Sequence, residues 1–282
     1  MSLQMFARVR SMLVVPAVLA LSSCHALRDD FARELAIESK DQHVDAALVV
    51  EADLARLPPP VQKYLRLTKS IGLPRIQNFQ ARFDTEMFQK PGGPPIPAPV
   101  EQVSFFERPT RLFFMKATMY GLPVEVFHSY RNEQASMRVR IASVFNVVDL
   151  KGTDLDAAET VTFMNDVCIL APARLIDPRF TWKALDSRSA EAAFTNGRHR
   201  VQAVLHFNDA GELVNFVSDD RYALQEDGTL KKARWSTPLG SYRDFDGRRA
   251  ASEGEAVWHY PEGDFVYGKF FIREIRYNAS LL

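Results

Sequence analysis

One long helical pattern interrupts a chain that otherwise reads as strand after strand, and it limits the fold more than any other feature. From Ala157 to Trp182 (AAETVTFMNDVCILAPARLIDPRFTW), apolar residues at Ala157, Val161, Met164, Cys168 and Ala171 follow the spacing of one helix face. Phe163, Val167 and Leu170 broaden that stripe, while Glu159 and Asp166 fall away from its centre. Pro172 breaks the helix and suits the first turn of a second, shorter one, which Pro178 ends. A helical insert with strands on both sides has to pack across those strands.

The flanking segments supply them. Met137, Val139 and Ile141 alternate with Arg138 and Arg140, the pattern of a strand with one buried and one wet face. Val201, Ala203, Leu205 and Phe207 alternate in the same way after Asn196-Gly197, a strong hairpin turn. Pro91 to Pro99 lacks the donors of a strand and reads as a surface turn. Residues 149–156 read as a loop in which Thr153 and Asp156 form a capping box for the central helix. A helix is expected to start at Pro59 or Pro60 and run to about Thr68. About a dozen strands at this spacing define an α+β class, a large curved antiparallel sheet (a half-barrel-like meander) with the helical insert on its concave face.

The first residues point to export. Arg8 and Arg10 precede a short apolar run, Met12 to Leu21, too short to span a bilayer, which needs about 20 residues. Leu21-Ser22-Ser23-Cys24 then resembles the bacterial lipobox, in which the cysteine is lipidated and becomes the mature N-terminus. The organisation expected is a signal peptide over 1–23, a tether over 24–50 and a single α+β domain over 51–282. An uncleaved anchor and a plain signal peptide are the alternatives at Cys24. If Cys24 carries lipid, Cys168 has no disulfide partner, and its place on the apolar stripe reads as a buried, inert thiol. His25 after the cysteine is not the aspartate that retains lipoproteins at an inner membrane, so the expected address is the periplasmic face of an outer membrane. Basic and acidic residues balance at 35 each, which gives no bulk drive towards nucleic acid.

Chemistry-bearing motifs are few. The chain has no phosphate-binding glycine loop, no HExxH and no GxSxG. Its six histidines are isolated in sequence, read as surface or cross-strand residues, and no metal or cofactor is expected. Catalytic residues are not assignable; Asp166, Asp219 and Glu255 are the acids through which an enzyme would act. Aromatic residues are the stronger signal, crowding both strand regions. They fill either one plain core or the walls of an apolar cavity between a curved sheet and its helix. For the cavity the candidate ligand-binding residues are Phe163, Met164, Val167, Phe113 and Trp182, with the central helix as a lid.

Five stretches carry a family resemblance: LPPPVQKYLR (57–66), MNDVCILAPARLIDPRFTW (164–182), FNDAGELVNFVSDDRY (207–222), RWSTPLGSYRDFDGRR (234–249) and GEAVWHYPEGDFVYGKFFIREIRY (254–277). Together they resemble the DUF6544 (also DUF6920) type of uncharacterised bacterial proteins, a resemblance that brings no catalytic residues with it. The order of elements is also similar to the half-barrels of envelope lipoprotein carriers and receptors, which hold acyl chains between a curved sheet and a helical lid. The expectation is a lipid-anchored envelope protein that binds an apolar or amphipathic ligand. The alternatives are an envelope hydrolase using acids, or a structural lipoprotein without ligand. A wholly apolar cavity would favour binding, converging acids or a His–acid pair the enzyme, and a filled core the third.

Overall fold

The computed structural model describes residues 26–40, 47–142, 145–225 and 227–280. Cys24, its lipidation and the signal peptide therefore lie outside the described residues. The helices are α1 (Leu27–Lys40), α2 (Pro59–Leu67) and α3 (Thr153–Leu170), with short 3-10 turns at Glu51–Leu54 and Pro172–Ile176. Between α2 and α3 run β1 (Asn78–Met87), β2 (Ile96–Pro97), β3 (Val100–Phe105), β4 (Thr110–Met119), β5 (Leu122–Arg131), β6 (Gln134–Ile141) and β7 (Phe145–Lys151). After α3 come β8 (Phe180–Asp186), β9 (Ser189–Asn196), β10 (His199–Phe207), β11 (Leu213–Ser218), β12 (Tyr222–Leu224), β13 (Leu230–Lys232), β14 (Arg234–Phe245), β15 (Arg248–Tyr260) and β16 (Gly263–Tyr277).

Fourteen of these strands form one open, curved, antiparallel sheet, the α+β architecture expected. Its order is β7-β6-β5-β4-β3-β1-β16-β15-β14-β11-β10-β9-β8, with β2 paired only to β1 and β12–β13 forming a separate hairpin. Two meanders thus join through the first and last strands, Phe79 opposite Tyr277 and Met87 opposite Gly268. Both sheet edges come from the middle of the chain, and α3 connects them across the concave face.

Each face of the first meander is covered. Phe113 and Met115 of β4 belong to the main core around α3, whereas Leu112 and Phe114 join Val103, Phe105 and Phe127 in a second cluster under α1. That double burial explains the unbroken apolar run LFFM, since only strands covered on both sides lose their alternation. Helix α1 lies inside the stretch expected to be a tether, yet it docks: Leu27 and Phe31 are fully buried in that second cluster. Burying a phenylalanine contributes about 1.5–3 kcal/mol. Ion pairs from Arg28 to Glu101 (2.6 Å), Arg138 to Asp30 and Arg131 to Glu38 (3.0 Å) fix the helix on the sheet.

The capping box at Thr153 does not form. Helix α3 starts one turn earlier than the apolar stripe, after Gly152, whose φ of +119° suits glycine, and it has no side-chain cap. Asp156 is used instead to tie the helix to two turns, accepting from the Ala135 backbone N–H (2.7 Å) and from Arg198 (2.9 Å). At the same end the Arg198 backbone N–H donates to Glu133, and a Cβ at Gly197 would collide with that carboxyl. The β5–β6 and β9–β10 turns therefore meet and draw the curved sheet together around α3.

Two local expectations give way, and one strand has no clear sequence signal. Residues 149–151 are strand β7 rather than loop. Ile96–Pro97 within the proline-rich turn makes a two-residue pairing on β1. Strand β14 crosses RWSTPLGSYRDF, where Pro238 and Gly240 hide a strand that pairs with β11 on one side and β15 on the other.

Candidate functional site

Beyond its exposed start at Thr153 and Asp154, helix α3 is enclosed almost all round, so Glu159 and Asp166 have no open solvent to face. Glu159 and Asp166 point instead into a cavity of about 130 Å³ between α3 and strands β1, β4 and β14–β16. Strands contribute apolar walls, Phe83, Met87, Phe113, Met115, Trp235, Leu239, Phe270 and Ile272, together with the polar Gln102, Arg111, His128, Glu253 and Glu255. A side chain at Gly268 would meet the Phe270 ring at 2.9 Å and the Met87 sulfur at 3.3 Å, so glycine there gives both residues room. The helix side is polar, carrying Glu159, Thr162, Asn165 and Asp166 before Ile169 and Leu170.

A connected ion network forms the polar floor. Arg111 on β4 donates through Nε to Asp166 (2.7 Å), through Nη1 to Glu159 (3.3 Å) and through Nη2 to Gln102 (3.4 Å). Gln102 also donates to Asp166 (2.7 Å). His128 on β5 places Nδ1 3.6 Å from Glu159, and Arg221 places Nη1 3.9 Å from the same carboxylate. Asn165 reaches across to Thr237 on β14 (3.2 Å). Burial by itself would raise the carboxyl of Glu159, but His128, Arg111 and Arg221 pull it well below the usual carboxylate range. Asp166 is pushed up by burial, against the pull of Arg111 and Gln102. His128 is pushed down by burial, against the attraction of Glu159.

The His128 shift has a consequence for stability. Its folded-state value lies below its unfolded one, so its contribution is complete above about pH 6.5 and is lost as pH falls through the folded value. His128→Gln is expected to flatten the stability decline between about pH 7 and 5. Chemical denaturation at several pH values checks this; parallel slopes for the two proteins would remove His128 from the acid response.

Of the residues chosen from sequence, Phe113 lines the cavity, and so do the acids Asp166 and Glu255, the latter at the rim 3.3 Å from Lys269. Phe163, Met164 and Val167 are buried in the main core and are not among the cavity walls. Phe163 packs against Phe106, Tyr130 and Phe194, with ring centroids about 6 Å apart. Trp182 is partly buried and stacks on Phe180 at 5.9 Å, away from the cavity. Asp219 is exposed, 3.9 Å from Arg234. Cys168 is a free, buried thiol whose ionisation burial suppresses. His128 is a cross-strand residue, set edge-on to Phe113 of β4, and it is buried beside Glu159. Sequence reasoning missed Arg111, Arg221 and Glu159, although one signal was there: Glu159 and Asp166 stand among the apolar residues of the helix body, past its acidic first turn.

A second constellation lies on the opposite face of the sheet. Ser236 Oγ is 2.8 Å from His259 Nε2, and His259 Nδ1 is 2.6 Å from Asp264. The distances match a nucleophile–base–orienter arrangement. Access does not: Ser236 is 1% exposed, and the pairing of β14, β15 and β16 commits the neighbouring backbone N–H groups to the sheet, leaving none for an oxyanion. These hydrogen bonds cross-link three strands. Among the described residues no three metal-ligating side chains come together, and no helix is long and apolar enough to cross a membrane.

An open curved sheet wrapped around one helix, with a polar-floored cavity between them, defines the class of molecule. The chain belongs to DUF6544, a family of unknown function, whose model matches residues 47–270. No curated protein matches it. Similar solved structures include a DUF1329 family protein from Desulfovibrio piger (12% identity, 83% of this chain and 95% of that chain, TM-score 0.44). A domain named for outer membrane lipoprotein sorting, from Vibrio parahaemolyticus, has 10% identity over 72% of this chain and 86% of that chain (TM-score 0.37). A LolA superfamily protein from Nitrosomonas europaea has 10% identity over 78% of this chain and 94% of that chain (TM-score 0.34).

Proposed function

We propose that the protein is a lipid-anchored component of the bacterial envelope that binds an apolar or amphipathic ligand, a lipid or acyl chain, between the curved sheet and α3. The observation that carries this reading is the cavity of about 130 Å³, with apolar walls from the sheet and a polar floor where α3 meets Arg111, Gln102 and His128. Close-packed interiors leave few voids larger than a water molecule, so a cavity of this size beside a charged network is a place for a ligand. Each methylene buried there contributes about 0.8 kcal/mol before the cost of ordering the chain. Native mass spectrometry of the purified protein tests the reading. A co-purified mass in the lipid range, released by organic solvent, is the expected result. A protein that carries no such mass and takes up no added amphiphile would overturn it.

Anchoring rests on Arg8, Arg10, the apolar run and Leu21-Ser22-Ser23-Cys24. Cys24→Ala is expected to leave the chain uncleaved or released from the membrane fraction. An unmodified Cys24 in the native protein, seen by mass spectrometry, would contradict lipidation. The address proposed is the periplasmic face of an outer membrane.

One observation favours the alternative of an envelope hydrolase: Glu159, Asp166 and His128 converge in the same cavity. Against it, Arg111 holds both carboxylates in its own ion pairs, so neither is free to act as a base. Turnover of an ester lipid by the wild type, abolished in Asp166→Asn while binding persists, would decide for the enzyme.

A further inference from the structure

The proposed ligand site has an asymmetry in its hydrogen bonding that bears on what the ligand's head must be. Arg111 spends all three of its nitrogens on Asp166, Glu159 and Gln102. Arg221 does not. Its Nη1 donates to the Ala158 carbonyl (2.9 Å) and to Thr162 Oγ1, and its nearest carboxylate, Glu159, lies on that same Nη1 side at 3.9 Å. Its Nε is buried without an acceptor, and no described residue accepts from Nη2. The side chain is 9% exposed, lines the cavity, and is held in place by the ring of Trp235, 4.7 Å from Cζ, and that of Trp258, 5.8 Å away.

A buried arginine edge with no acceptor is a costly arrangement for a side chain that only fills space. The Nε–Nη2 edge is also the fork that a carboxylate engages with two parallel hydrogen bonds. Resting on the amphiphile-binding reading above, we infer that the cavity selects ligands with a carboxylate head, which takes the free edge of Arg221 while the chain lies along Phe83, Met115 and Phe270. Arg111 is held by two acids, whereas Arg221 meets only the shared Glu159, and through Nη1 alone. An ammonium head brings only donors to an arginine edge that itself only donates, and a hydroxyl head offers that edge a single neutral contact.

A series with one chain and three heads tests this on the full-length wild type: decanoate, decanol and decylammonium, titrated by calorimetry with the quenching of tryptophan emission as a second readout. Decanoate is expected to bind at least about tenfold more tightly than decanol, the worth of one charge-assisted hydrogen bond, with decylammonium the weakest. Arg221→Met is expected to bring decanoate and decanol to within about twofold of each other, with the affinity for decanol little changed. Equal wild-type affinities for the three heads would overturn the carboxylate assignment and leave the amphiphile reading standing. Binding of none would overturn both. A decanoate preference that survives in a folded Arg221→Met protein would remove Arg221 from the site. Should that variant not fold, the wild-type series alone still decides the head.

Discussion

Replacing Glu159 with glutamine is expected to destabilise the fold by about 3–5 kcal/mol, the range for removing one partner of a buried charge network. The side chain is 3% exposed and faces Arg111, Arg221 and His128. Glutamine keeps the volume but leaves two buried guanidinium groups with Asp166 as their one remaining acid. The pH dependence has a definite sign. The Glu159 carboxyl is depressed in the folded state, so its contribution is present above the ordinary carboxylate value and is lost only as pH falls through the folded one. The difference between wild type and variant should therefore hold from neutral pH down to about pH 4 and shrink below it. Urea unfolding at neutral pH is the measurement; a difference under about 1 kcal/mol would mean that water screens the network as it does a surface ion pair.

Phe163→Ala is expected to cost a similar amount, about 3–5 kcal/mol, the usual range for truncating a buried phenylalanine. Its ring is 1% exposed and sits among Phe106, Tyr130 and Phe194, joining α3 to both meanders. Because it belongs to the core rather than the cavity wall, the same variant should take up a fluorescent fatty-acid probe much as the wild type does wherever it remains folded. A small loss of stability with altered probe uptake would place Phe163 at the ligand instead.

The α+β class, the helical insert and most hairpins were legible because each rests on local periodicity. Alternation at Met137, Val139 and Ile141 and the Asn196-Gly197 turn need no knowledge of distant contacts. The cavity's polar floor was not legible, because it is assembled from residues far apart. Arg111 and Arg138 look alike in sequence, each an arginine among apolar neighbours on a strand, yet one is buried under α3 and the other pairs with α1. Helical spacing placed Phe163 and Asp166 on different faces, which they are. Spacing does not say whether the second face is wet, and a helix enclosed by a curved sheet has no wet face. Helix α1 was obscured for a related reason: LRDDFARELAIESK is polar enough to read as a tether, and only Leu27 and Phe31 show what it docks with.

The join between β1 and β16 matters for the order in which the molecule takes shape. Phe79 and Tyr277 stand opposite each other at the middle of the sheet, so the strand synthesised first among these has to wait for the one synthesised last. Each meander can zip locally from its own hairpins, but the two do not meet until β16 is made. Closing so long a loop is the slow kind of event in folding. Until β16 is in place the two half-sheets lack the seam that joins them, and removal of β16 would leave them without it.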